Sequence, residues 1–371
     1  MLILCIILIV VLSVIYYRRP CENILESLKY SKILLEDINY SYHDKLLLPP
    51  ILSLKKINIM KIKNKSFPLL FVPDIGGNRL YGKWNVEECN MCIAKSNWYT
   101  QIWPISQCLS PFIPFANCWK ERFIMNKDFT DRKNIKIIAK NFGSIHDMNM
   151  LYNFGKGIAI GFYPLIKSLK AYKDGYNLFG APYDFRKIAN ISILEIYFEK
   201  IKKLVEFSFK KNKKPIILVG HTLGGILVNI FLNYHVTDNW KQKYIKSFIA
   251  IHVPFTGCDI AETAIKYGTN EGIGIRSMAY STASWYNEIE KYMGGIHLLL
   301  KTSNRPNIKK LLFFRNMNPN VKIHFIMCNK DIINITIPKN WDITIYKINT
   351  SHKKVVNNPQ FLKLFSEKFL I

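Results

Sequence analysis

The sequence predicts an α/β fold, a mostly parallel central sheet flanked by helices. Three observations predict it. Residues 216–219 (Ile-Ile-Leu-Val) form a short, fully apolar, β-branched run, as expected of a parallel strand covered on both faces. A glycine-rich turn follows at once, and residues 223–234 then carry apolar side chains at helical spacing. The pattern recurs near the C-terminus, with strands at 321–327 and 341–348 and a terminal helix from about Pro359. Between these lie an expected strand at 135–138 and expected helices at 148–171 and 193–210. A chain of 371 residues with 49% hydrophobic content can build one large core with insertions.

The turn itself is Gly220-His-Thr-Leu-Gly224. It has the Gly-x-nucleophile-x-Gly form of the strand-to-helix elbow of α/β-hydrolases, where small residues let the turn close with a nucleophile at its tip. The tip here is Thr222, and the next backbone N–H, that of Leu223, can point at a developing oxyanion. Threonine offers the oxygen of serine but adds a methyl on Cβ, which restricts χ1 and crowds a tight turn. It serves as a nucleophile elsewhere, usually beside an N-terminal amine. The competing reading is a glycine-rich turn with no chemistry.

In such hydrolases the order along the chain is nucleophile, acid, histidine. Asp331 follows the strand at 321–327, and His352 lies between the last strand and the terminal helix. Both are where an orienting acid and a general base belong. Asp342 is the rival acid, ten positions before the histidine and at a strand start. The alternatives are an ordinary loop acid and a solvated histidine. The other histidines, 43, 146, 235, 252, 297 and 324, read as structural, and His221 as a packing residue within the elbow.

With these residues in view, the chain from Pro68 onward resembles the lecithin:cholesterol acyltransferase and lysosomal phospholipase family. The segment Phe71-Val-Pro-Asp-Ile-Gly-Gly-Asn-Arg-Leu-Tyr-Gly-Lys83 is similar to the family's first strand and oxyanion loop, which places Ile75 as the second oxyanion-hole donor. Phe179-Gly-Ala-Pro-Tyr-Asp-Phe-Arg186 resembles its Ala-Pro-Tyr-Asp-Trp-Arg signature; Asp184 and Arg186 read as a structural pair. The segments at 248–257, 267–274 and 281–285 resemble the turn after the elbow and the cap that follows. Cys92 and Cys118 resemble the family's lid disulfide. Two departures fall in the catalytic machinery. Thr222 stands where the family has serine, and Ile332 and Ile333 follow Asp331 where a glycine is expected.

The resemblance implies a phospholipid acyl hydrolase or O-acyltransferase, similar to phosphatidylcholine-sterol acyltransferase and working through an acyl-enzyme on Thr222. The alternative is an inactive lipid-binding pseudoenzyme of the same fold. No cofactor is implied, and no Cys/His spacing suggests a metal. The expected partners are a phospholipid or sterol substrate and a membrane or lipoprotein-like surface.

Composition and compartment add to this. The 52 basic residues against 26 acidic ones give a net charge of +26, spread along the chain and interleaved with Asn, Ile, Tyr and Phe. That mix is what AT-biased codon usage produces, yet the resulting surface is drawn to anionic headgroups. No nucleic-acid-binding module is visible. Residues 1–17 suit a signal peptide or signal-anchor, too short an apolar run for an ordinary spanning helix. The chain is therefore expected on the secretory route: secreted, in a vacuolar or lysosome-like lumen, or membrane-anchored. Cys89 and Cys108 are a further candidate pair, and Cys258 and Cys328 candidate buried thiols.

Residues 18–66 read as a basic lead-in and 67–371 as the hydrolase domain. An insertion at 84–135 holds four of the seven tryptophans, and 258–315 reads as a cap over the acyl pocket. Trp98, Trp103 and Trp119, near prolines, suit a membrane interface; the competing reading is a small aromatic core.

Overall fold

The structure, a computed structural model, describes residues 66–86, 92, 95–104, 115–149, 151, 161–269, 279–331, 333 and 335–369. The expected signal segment, the lead-in up to residue 65, the Cys89–Cys108 pair and residues 270–278 of the cap lie outside them.

The main sheet holds β1 (Leu69–Val72), β5 (Leu178–Gly180), β6 (Ile216–His221), β7 (Ile245–Ile251), β8 (Ile323–Cys328) and β9 (Ile343–Ile348). Its order is β5-β1-β6-β7-β8-β9, and every pairing is parallel. The strands sort side chains by the period of two that a pleat imposes. Leu70, Val72, Ile216, Leu218, Phe248, Ala250 and Phe325 enter one buried cluster. Their neighbours Leu69, Phe71, Ile217, Val219, Ile249, Ile251 and Ile326 enter another on the opposite face.

β2 (Leu80–Asn85), β3 (Lys95–Trp103) and β4 (Ile135–Ile138) form a separate antiparallel sheet in the order β3-β2-β4, with α1 (Ala116–Phe123) between β3 and β4 in sequence. A disulfide joins Cys92 to Cys118, while Cys258 and Cys328 are buried free thiols. The helix expected over 148–171 is instead two short ones among the described residues, α2 (His146–Asn149) and α3 (Tyr163–Ser168).

The long α4 (Ile191–Asn212) starts at Asn190, whose Oδ1 accepts from the N–H of Ile193 at 3.4 Å, an N-cap. α5 (Leu223–Ile230) is buried along its whole length and runs into a π-helical turn, Phe231–His235, so the expected helix over 223–234 changes hydrogen-bond register near its end. The rest of the chain supplies α6 (Asp238–Tyr244), α7 (Asp259–Tyr267), α8 (Ala279–Glu290), α9 (Gly294–Leu299), α10 (Pro306–Arg315), α11 (His352–Val355) and α12 (Pro359–Lys368). Phe361 and Phe365 of α12 close the second cluster beneath Phe71.

Arg186 ties the insertion to the core. Its buried guanidinium bonds both carboxylate oxygens of Asp184 (3.0 and 2.6 Å), Asp131 (2.9 Å) and the carbonyl of Phe123 (3.0 Å). Burial alone would raise the Asp131 pKa, but the charges of Arg186 and Lys187 outweigh it and hold the carboxyl below its ordinary value.

The tryptophans divide. Trp98 is 60% exposed, whereas Trp103 (5%) and Trp119 (2%) are core residues. Their indole N–H groups donate to the carbonyls of Gly76 (2.9 Å) and Ile102 (2.7 Å), and Trp119 stacks on Phe123. The expectation that Trp103 and Trp119 present a membrane-binding surface is corrected. Each ring has a buried partner for its one polar atom, so both are packed rather than presented.

Candidate active site

In an open parallel sheet, ligands bind beyond the carboxyl ends of the strands where strand order reverses. Here the chain goes from β1 outward to β5 and then back across β1 to β6. The loops after β1, β6, β7, β8 and β9 carry Asp74 and Ile75, Thr222, His252, Asp331 and His352.

Thr222 sits at φ 43°, ψ −106°, a region that a β-branched residue enters only under strain. The surroundings hold it there. Its N–H donates to the carbonyl of Ile251 (2.9 Å), and its own carbonyl accepts from the N–H groups of Gly225 (3.1 Å) and Ile226 (3.2 Å). A Cβ on Gly220 would lie 2.5 Å from the Cα of Gly225, and one on Gly224 would lie 2.2 Å from the carbonyl oxygen of Val72. Only glycine lets the turn close and lets α5 rest against β1. The Thr222 hydroxyl is buried and has no hydrogen-bond partner among the described residues.

His352 is buried, not a solvated surface histidine. Its Nδ1 lies 2.6 Å from Asp331 Oδ2, and its backbone N–H donates to the same oxygen at 2.5 Å. The carboxylate can only accept, so Nδ1 carries the proton and Nε2 keeps its lone pair. The N–H of Ile333 donates to Asp331 Oδ1 at 3.0 Å. Burial works to raise the Asp331 pKa, but the bonds from His352 overcome it and hold the carboxyl well below the usual range. Asp331 is thus the acid that meets the histidine, and the rival Asp342 acts electrostatically on His324 instead. His221 donates from Nε2 to the carbonyl of His352 at 3.1 Å, fastening the elbow to the histidine loop.

Two further residues also stand here, one of them a histidine read from the sequence as structural. His252, at φ 47°, lies parallel to the His352 ring (centroids 5.8 Å, interplanar angle 7°). Its Nδ1 accepts from the N–H of Cys328 at 3.1 Å, so the proton of the neutral ring is on Nε2, 3.7 Å from Asp331 Oδ1. Burial pushes its pKa down to about 4. A left-handed, non-glycine position after a strand is invisible to pattern reading, and nothing in its sequence context marks it.

The second is Asp74. The N–H groups of Ile75 and Leu223, the two expected oxyanion donors, converge on one point. That point is held by Asp74 Oδ1, 2.7 Å from Ile75 N and 3.2 Å from Leu223 N. The only sequence signal was an acid immediately before an expected anion-binding donor.

His252, Asp331 and His352 bring three potential ligand atoms within 4.8 Å of one another. The donor set does not fit a cation. His252 Nε2 carries a proton because Nδ1 already accepts a hydrogen bond from the Cys328 N–H, and His352 Nδ1 keeps its proton in the hydrogen bond it donates to Asp331.

A strand–elbow–helix turn tipped by Thr222, an Asp–His pair following it in chain order and two convergent N–H donors on a parallel sheet define the α/β-hydrolase fold. The chain belongs to the lecithin:cholesterol acyltransferase family, whose model matches residues 98–359. It is 29% identical over 215 residues to lecithin-cholesterol acyltransferase-like 1 of Arabidopsis thaliana, covering 52% of this chain and 49% of that one. It is 26% identical over 241 residues to the mouse (Mus musculus) lysosomal phospholipase A and acyltransferase (62% and 57% covered). To the rat (Rattus norvegicus) phosphatidylcholine-sterol acyltransferase it is 27% identical over 251 residues (62% and 55%). The chain spans about half the length of these curated relatives. Among solved structures, the mature Bacillus licheniformis lipase BlEst2 matches with a TM-score of 0.32 at 14% identity, covering 53% of this chain and 80% of that one.

Proposed function

We propose that the chain is a lipid acyl-transfer enzyme that takes an acyl group from a glycerophospholipid and passes it to water or to a lipid hydroxyl. Thr222 Oγ1 attacks the ester carbonyl and gives its proton to His352 Nε2, while Asp331 holds the imidazole in the Nδ1–H tautomer. The N–H groups of Ile75 and Leu223 receive the oxyanion. His352 then returns the proton to the leaving lysophospholipid, and an acceptor hydroxyl reverses the steps to release the acyl group.

The observation that carries this reading is the buried Asp331–His352 pair fastened through His221 to the elbow whose tip is the strained Thr222. Strain of this kind is kept where surrounding structure enforces it, and it clusters at sites of chemistry. Family membership and relatives named for phospholipase and acyltransferase activity support the substrate class.

A second reading is a lipid-binding pseudoenzyme. Two observations favour it: the Thr222 hydroxyl has no hydrogen-bond partner among the described residues, and the oxyanion position is filled by Asp74. The location proposed is the secretory route at a lipid surface. The Cys92–Cys118 disulfide supports an oxidising compartment, and exposed Trp98 is the remaining candidate of the three tryptophans for lipid contact. No helix among the described residues is long and apolar enough to cross a membrane.

The test is release of labelled acyl chains from phosphatidylcholine liposomes by the native protein, Thr222→Ala and Thr222→Ser. Turnover by the native protein that is lost in the alanine variant supports the enzyme. Liposome binding without turnover, with activity appearing only in the serine variant, supports the pseudoenzyme.

A further inference from the structure

We propose that Asp74 is an internal occupant of the oxyanion hole, so that the chain rests in a self-blocked state and reacts only when the Asp74 carboxylate leaves the N–H groups of Ile75 and Leu223. The inference rests on the proposed reading of those two groups as the oxyanion donors.

The geometry is specific. One carboxylate oxygen, Oδ1, accepts from both donors, at 2.7 Å and 3.2 Å. These are ordinary hydrogen-bond distances, and the acceptor is one that an ionised carboxylate supplies strongly. The donor pair is not adventitious. Ile75 follows β1, and Leu223 is the first residue of α5, whose N-terminus adds a partial positive charge. A hole shaped for the negative oxygen of a tetrahedral intermediate also suits a carboxylate oxygen, and this chain supplies one from the residue adjoining a donor. The two anions cannot share the site.

The loop is also anchored, so release requires side-chain rotation rather than loop loss. The Pro73 carbonyl accepts from Tyr183 Oη at 2.9 Å, the Gly77 N–H donates to the Asp74 carbonyl at 2.9 Å, and Trp103 holds the Gly76 carbonyl. With backbone on both sides fixed, χ1 and χ2 of Asp74 are the freedoms left. An occupied hole lowers apparent reactivity by the fraction of molecules in which it is open.

The experiment uses the full chain and a fluorophosphonate probe. The attacking oxygen forms a bond to phosphorus, fluoride leaves, the proton passes to His352 Nε2, and the phosphonyl oxygen takes the hole. Labelling rates are compared for Asp74 and Asp74→Gly in both the native and the Thr222→Ser backgrounds. The serine background separates this proposal from the competence of Thr222. If threonine is inert, the serine pair still reports on the hole. Removing the carboxylate is expected to raise the labelling rate about tenfold or more in every background that labels, the effect of freeing donors from a charge-assisted hydrogen bond. Equal or slower labelling after Asp74→Gly overturns the proposal.

A second measurement does not depend on labelling. In protein labelled with ¹⁵N at Ile and Leu, the amide protons of Ile75 and Leu223 are expected at low field and to move upfield together in the near-isosteric Asp74→Asn. Unchanged shifts for both amides overturn the proposal, even if no variant reacts with the probe.

Discussion

At the scale of single residues, the site is a set of hydrogen bonds whose directions are fixed by what each atom can do. Asp331 accepts from the backbone and the ring of His352, and this selects the tautomer with Nε2 free. Asp331→Asn places a donor where only an acceptor serves. We expect kcat for acyl release to fall by about 10³–10⁴ with little change in melting behaviour beyond the weakened hydrogen bonds from His352. His252 tests the electrostatics. Its pKa falls from 6.5 to about 4 on burial, so between these values the unfolded chain binds the proton that the folded chain refuses. Its contribution is fully present above pH 6.5 and is lost as pH falls toward 4, a difference on the order of 3 kcal/mol. Denaturation of the native protein and His252→Gln across that range should show a shallower acid loss in the variant; parallel curves would contradict the assignment. These residues were unequally legible. Thr222, Asp331 and His352 announced themselves by motif and order. Asp74 and His252 did not, because a carboxylate reaching the amide of the next residue, and a histidine forced left-handed after a strand, are set by backbone direction and not by spacing.

At the scale of elements, α5 lies against β1 with nothing but hydrogen between Gly224 Cα and the Val72 carbonyl. Gly224→Ala must push the helix off the sheet. We expect a loss of roughly 3 kcal/mol or more in urea denaturation, with the Thr222 position displaced. α7 and α8 meet at a carboxyl group of the opposite pH sense. Glu290 on α8 accepts from the N–H (2.6 Å) and hydroxyl (3.0 Å) of Thr269, just past α7, and burial raises its pKa from 4.5 to about 7. Here the folded chain holds the proton that the unfolded chain releases. The contribution is fully present below pH 4.5 and is lost as pH rises through 7, again on the order of 3 kcal/mol. Subtracting the stability curve of Glu290→Gln from that of the native protein should give a difference that falls with pH in this window, and a flat difference would refute it. Of the main sheet, β6, β8 and β9 could be placed from their own residues and β1 and β7 from the family resemblance, whereas the three-residue β5 could not. The π-helical turn after α5 could not, nor could β2 and β3 of the antiparallel sheet, of which only β4 was expected. The turn keeps the apolar spacing of an α-helix, and the sheet is mostly polar or half-exposed along β3.

At the scale of the molecule, a parallel sheet gathers loops that are remote in sequence at one edge, and the insertion leans on the same place. Trp103 reaches from β3 to the loop after β1, Arg186 binds Asp131, and Cys118 is held to Cys92. The disulfide closes a separation of 26 residues, so its reduction should lower stability by about 3 kcal/mol, read as a lower denaturation midpoint in reductant than in Cys-intact protein. Burial of Trp103 and Trp119 could not be distinguished in the sequence from interfacial exposure, since an amphipathic ring serves both; only the location of a partner for the indole N–H decides.

The most direct measurement is mass spectrometry of the native protein, acid-quenched after incubation with phosphatidylcholine vesicles and digested to isolate the peptide containing Thr222. An acyl group mapped to Thr222, absent from Thr222→Ala, is the predicted result. Acyl release with no acylated Thr222 peptide, or acylation found only after Thr222→Ser, would contradict it.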